Sequence, residues 1–122
     1  MAKIDIQDNK LVITIEGARK LWALKSQLSI PLENVIKVTV DPEAWEHTPR
    51  LGQKRVGTDL YGFYFAGTFK QQGNKVFYDL KRKEDAVVIT LKDEDFDCLV
   101  VGVENSNETV QLIEKSLNNI NL

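Results

Sequence analysis

The sequence predicts a mainly β domain, an antiparallel sheet structure closed by one C-terminal helix. Three observations carry that expectation. Residues 61–70, 75–81, 86–91 and 98–103 are apolar runs of strand length, rich in β-branched and aromatic side chains. Polar turns separate them: 71–74 with Gly73, the highly charged 81–85, and the acidic 93–97. Directly after the last run, Asn105 and Glu108 have the spacing of a capping box, and Val110, Ile113, Leu117 and Ile120 recur as an apolar stripe. The helix is expected over about 106–118, with its stripe plugging the open end or corner of the sheet.

The N-terminal half reads in the same grammar. Ile4 and Ile6 alternate with polar neighbours, Asp8 and Asn9 offer a turn, and Leu11, Ile13 and Ile15 alternate again, which is a hairpin with its isoleucines on one face. Gly17 breaks the run. Ala18, Leu21 and Trp22 suit one helical turn, and alternation through Leu28 and Ile30 predicts a strand that Pro31 ends, because proline cannot donate to a ladder. Ile36, Val38 and Val40 alternate as the next strand. From 42 to 58 periodicity fails, and Pro42, Pro49, Gly52 and Gly57 predict a loop of unusual length, functional or mobile. In the run that follows, Phe63, Phe65 and Phe69 share a face, with Gly67 between them as the expected bulge or bend.

A chain of 122 residues suits one domain, residues 1–122, able to bury a core without disulfides or metals. Its 43% hydrophobic and 28% charged residues exclude the disordered class. The one cysteine, Cys98, forms no internal disulfide and falls in an apolar strand, which suits a reducing compartment. No apolar leader precedes the first strand and no run approaches the ~18 residues of a membrane helix, so a cytoplasmic location is expected. A formal net charge of -2 gives no general attraction to nucleic acid or anionic lipid.

No catalytic constellation is visible, so neither enzymatic activity nor a cofactor is expected. His47 is the only histidine and has no Ser or Cys nucleophile at a recognisable spacing. Asp93, Asp95, Asp97 and Glu104 match positions 1, 3, 5 and 12 of a calcium loop, but Cys98 stands where that loop needs glycine, and a solvated acidic hairpin explains the run better. Phosphate-cradling, zinc and dinucleotide motifs are missing.

Two binding candidates come from loops. Trp45, with Arg50 in the same 42–58 segment, can anchor a protein partner or a second copy of the chain; as readily, the indole folds back over the sheet as a lid. Lys54 and Arg55, together with Lys81 and Arg82, form an anion site for a small ligand or phospholipid headgroup if the two regions meet in space. The charged tip at Lys81, Arg82 and Lys83 has a plainer reading as solubility and edge protection, with Glu84 and Asp85 opposing it.

The passage Ile30, Pro31, Leu32, Glu33, Asn34, Val35, Ile36 resembles a step common in bacterial pleckstrin-homology-like (PH-like) domains. Arg55, Gly57, Thr58, Gly62, Ala66, Gly67 and Thr68, followed by Phe77, are similar to a string found in one group of them. The resemblance implies a partly open barrel of two roughly orthogonal antiparallel sheets, about seven strands, capped by one C-terminal α-helix. It also implies a domain without assigned activity. Lys10, Arg19 and Lys20 do not have the spacing by which phosphoinositide-binding relatives hold their ligand. The expected function is therefore a non-catalytic binding or assembly module acting by protein–protein contact or self-association, through a sheet edge and the 42–58 loop.

Overall fold

The computed structural model describes residues 2–15, 27–48, 54–60 and 64–120, with the backbone alone described in 54–60. The helical turn expected around Ala18 and Trp22, together with Phe63 and Arg50, lies outside the described residues. Nine strands are described: β1 Ala2–Gln7, β2 Lys10–Ile15, β3 Gln27–Pro31, β4 Val35–Asp41, β5 Lys54–Leu60, β6 Tyr64–Gln71, β7 Asn74–Lys81, β8 Asp85–Leu91 and β9 Cys98–Val103. One helix, α1 Ser106–Ile120, follows them, and short 3-10 turns occupy Leu32–Asn34 and Ala44–His47. The fold is mainly β, as expected, with more strands than the resemblance implied.

The strands form two sheets, β1-β2-β3 and β4-β8-β9-β7-β6-β5. Two tight hairpins set the register. Asp8 and Asn9 both adopt positive φ between the paired Gln7 and Lys10, and Gln72 and Gly73 do the same between Gln71 and Asn74. Paired positive φ values give the turn whose twist matches that of antiparallel strands, and Asn, Asp and Gly tolerate them most readily.

The connection at 81–85 departs from expectation. It is not a hairpin turn, because β9 lies between the strands it joins, antiparallel to β8 and parallel to β7. The sheet is therefore not wholly antiparallel. A second correction concerns 42–58: the expected loop contains the Ala44–His47 turn, and from Lys54 onward it is strand β5. A third concerns β4, where Ile36, Val38 and Val40 do not share a buried face. The register shifts between Val35 and Lys37, so Val35 and Val38 are buried and Ile36 is turned out, 55% exposed.

The core lies between the sheets. Ile4, Ile13 and Leu28 face it in one cross-strand row and Ile6, Leu11 and Ile30 in the next, opposite Phe77, Val87, Ile89, Leu99 and Val101. Helix α1 packs against β1, β4, β8, β9 and the Leu32–Asn34 turn, with Ile113 fully buried and Val110, Leu117 and Ile120 against the same core. Asn105 caps it by accepting the Glu108 N–H through its side chain at 3.1 Å. The stripe thus covers one end of the space between the sheets.

A second apolar cluster occupies the other face of the six-stranded sheet, comprising Phe65, Phe69, Val76, Tyr78, Leu80, Ala86, Val100 and Ala44. Strands β6, β7 and β9 are therefore buried on both faces. That burial is the physical reason their sequences run as nearly continuous apolar stretches, since a strand with one wet face alternates. Each large side chain removed from water here contributes roughly 1.5–3 kcal/mol.

Candidate interaction surface

The outer cluster is organised around Gly67 in β6. Gly67 has φ of 118°, outside the reach of most L residues, while its pairing with Tyr78 in β7 continues without a slip. Phe65 and Phe69 flank it on the same face, their rings stacked with centroids 4.4 Å apart. Tyr78 meets both edge-on, at 5.1 and 5.7 Å. Gly67 lies between Phe65 and Phe69 in the strand and carries no side chain to part their two rings.

Over this face runs the segment that leaves β4. Ala44 is buried in the cluster, and Trp45 is half-buried and packed against it. Polar contacts fix the segment to the sheet. The Tyr78 hydroxyl donates to Gln71 Oε1 at 2.6 Å, and Gln71 Nε2 donates to the His47 carbonyl at 2.7 Å. Thr48 is 5% exposed and donates its hydroxyl to the Trp45 carbonyl at 2.8 Å. His47 Nδ1 lies 2.8 Å from Asp41 Oδ2, and Asp41 Oδ1 accepts the Glu43 N–H at 2.9 Å. Burial pushes the Tyr78 hydroxyl up to about 12, so it remains a protonated donor across the physiological range.

Of the residues singled out in the sequence, Trp45 takes the position of a lid on the sheet. Its indole covers the outer cluster. Lys54 and Arg55 lie on β5 beside a register shift, while Lys81 ends β7 and Arg82 follows it, both exposed. The register keeps the two basic regions apart. Lys54 is aligned with Phe69 and Val76, whereas Lys81 is aligned with Tyr64 and Leu60 at the other end of the same strands. Five residues along β7 and two strands across amount to roughly 19 Å, too far to share one small anion.

The acidic run is spent on tying loops. Asp97 accepts the Lys75 N–H at 2.8 Å, Glu94 accepts from Asn34 Nδ2 at 2.5 Å, and Phe96 is buried against Phe77. Among the described residues no three of His, Cys, Asp and Glu come together as a metal site. Two surface recesses, of about 220 Å³ beside Lys3, Glu104 and Glu108 and about 580 Å³ beside Asp8, Lys10 and Glu33, have linings of mixed charge. No helix of the described residues is long and apolar enough to cross a membrane.

Sequence reasoning passed over two features. Asp79 is fully buried in β7 and accepts a 2.5 Å hydrogen bond from the Tyr64 hydroxyl. An aspartate inside the run Val76–Leu80 was its only trace. The Gln71 latch left no periodic signal at all, since it joins residues far apart in the chain.

Comparison of the chain with protein-family models, curated proteins and solved structures finds no match.

Proposed function

We propose that this chain is a non-catalytic binding and assembly module that acts by protein–protein contact, with self-association as its simplest form. The observation carrying this reading is β4, the terminal strand of the larger sheet, with Ile36 55% exposed at its bulge. A strand hydrogen-bonded on one side presents backbone donors and acceptors to a partner strand, and an outward apolar residue gives that contact an anchor. Trp45 offers a second anchor, a partly exposed aromatic on the segment that leaves the other end of β4. The polar groups nearby support a structural role: His47, Asp41, Gln71 and Tyr78 bond to one another or to the segment's backbone.

Membership of the bacterial PH-like family belongs to this proposal. Two sheets with a C-terminal helix agree with it in outline, and the motif residues carry it. The parallel β7–β9 pair is a departure from the all-antiparallel arrangement that the resemblance implies. The separation of Lys54 from Lys81 is why protein contact is preferred here to anion binding.

Light scattering over a range of protein concentrations tests the reading. The expected result is a mass above 13.9 kDa that rises with concentration and resists salt, reduced to the monomer by Ile36→Lys. A strict monomer at every concentration overturns self-association. An oligomer that Ile36→Lys leaves intact overturns β4 as its surface.

A further inference from the structure

We propose that residues 42–48 form a strap over the outer face of the six-stranded sheet, latched by Gln71 and by the His47–Asp41 pair, and that the strap loosens when His47 loses its proton. This device acts within one molecule and stands whether or not β4 binds a partner.

The geometry divides the strap's contacts unequally. Beneath it lies a cluster of fully buried aromatics, but the strap itself commits only Ala44, Thr48 and part of Trp45 to burial. Short segments with few buried apolar contacts and exposed hydrogen bonds open locally at much lower cost than the whole fold. Its ties are of that kind: the bond from Gln71 to the His47 carbonyl and the bond between His47 and Asp41 are both exposed. The first does not depend on pH. The second does, because the side chain of His47 is 62% exposed and its Nδ1 faces the Asp41 carboxylate.

The charged groups around the imidazole all act in one direction. Asp41 comes from the end of β4, Glu43 and Glu46 from the strap itself, and the sheet beside it offers Gln71 and the protonated hydroxyl of Tyr78. The hydrogen bond to Asp41, and after it the charges of Asp41, Glu43 and Glu46, hold His47 above its ordinary value. A raised value in the seated state means that the pair's contribution is complete below the ~6.5 of a free histidine. It fades as pH rises through the higher seated value. Acid therefore seats the strap and mild alkali loosens it.

The test uses Trp45 as its own reporter in a Trp22→Phe background, with acrylamide as a neutral quencher between pH 5.5 and 9. The expected result is a Stern–Volmer constant that rises about two- to three-fold with one midpoint above ~6.5, the modest change an exposed pair supports. His47→Gln and Asp41→Asn are each expected to flatten that profile, and Gln71→Ala to raise the constant at every pH. Exchange of the Glu46 and Thr48 amides, which donate to the Glu43 and Trp45 carbonyls, reads the same opening without the indole. A flat profile in the parent overturns the proposal, as does a pH dependence that persists unchanged in His47→Gln.

Discussion

The side chain of Glu84 lies directly across Gly102, so close that a Cβ on Gly102 would overlap the Glu84 carboxyl group. The contact follows from the topology. Strand β9 is inserted between β7 and β8, and the connection joining those two strands must bridge it. Glu84 holds the bridge in place by accepting the Lys81 N–H at 2.8 Å, while its own N–H donates to the Lys81 carbonyl at 3.1 Å.

Gly102→Ala is expected to destabilise the protein by roughly 1–3 kcal/mol, because the new methyl group evicts Glu84 and releases its bond to Lys81. Urea denaturation measures the loss. In a Glu84→Ala background the same substitution is expected to cost much less, and the difference is the coupling between the two positions. Equal costs in both backgrounds would show that the bridge does not depend on this contact.

Gly67→Ala is expected to cost about 1–3 kcal/mol for a different reason, the φ of 118° that alanine adopts only under strain. Part of the loss should come from the aromatic cluster, since the stacked rings of Phe65 and Phe69 flank this position in the strand. Near-ultraviolet circular dichroism should therefore change along with the denaturation midpoint. A lowered midpoint with an unchanged aromatic spectrum would place the effect in the backbone alone.

These glycines show which parts of the fold were legible. Gly67 interrupts a phenylalanine series, so an unusual backbone could be read from its neighbours, though the register runs through it without a bulge, and Gly73 lies in an obvious turn. Gly102 gave no warning, because Glu84 faces it only through an insertion of β9 that no local pattern encodes. Alternation located β1, β2 and β3, and helical spacing located α1, because each has one apolar side, and the Asn105 cap is a short-range device. Alternation failed at Ile36, which the bulge between Val35 and Lys37 turns out to solvent while Val38 stays buried. Of the candidate site, Trp45 and its segment were noticed for their lost periodicity. The partners Gln71 and Tyr78 are polar contacts between distant residues, and the separation of Lys54 from Lys81 is a matter of register.

Cys98 is expected to be a poor nucleophile. Burial, and then the charge of Asp97, push its thiol up to about 11, against an ordinary value near 9. Because the thiolate is the reacting form, alkylation at neutral pH should be roughly 100-fold slower than for a free cysteine with the same access. The rate should climb about tenfold per pH unit up to pH 9.5 without levelling. A rate that bends over near pH 9 would mean that the thiol sits in a wetter place than the sheet provides.

Removal of the N-cap offers a local test of how α1 closes the sheets. Asn105→Ala deletes the acceptor for the Glu108 N–H, but the Asn105 carbonyl still accepts from the Thr109 hydroxyl and amide, at 2.8 and 3.1 Å. The expected loss is about 1 kcal/mol, read from the denaturation midpoint. Asn105→Asp should recover it, since the carboxylate keeps the acceptor and favours the positive end of the helix dipole.

Tyr64→Phe addresses the buried carboxylate of Asp79. The substitution keeps the ring, which is 4% exposed, and removes the hydroxyl that donates to Asp79 at 2.5 Å. A buried carboxyl group left without its donor carries its desolvation cost in full. The expected destabilisation is about 1.5–3 kcal/mol in urea at pH 7, well above that of removing an exposed tyrosine hydroxyl. Pairing the change with Asp79→Asn separates charge from shape. If the carboxylate's charge makes the bond strong, Tyr64→Phe should cost less in the Asp79→Asn background than alone. An equal cost in both would assign the stabilisation to packing of the hydroxyl rather than to the charge of Asp79.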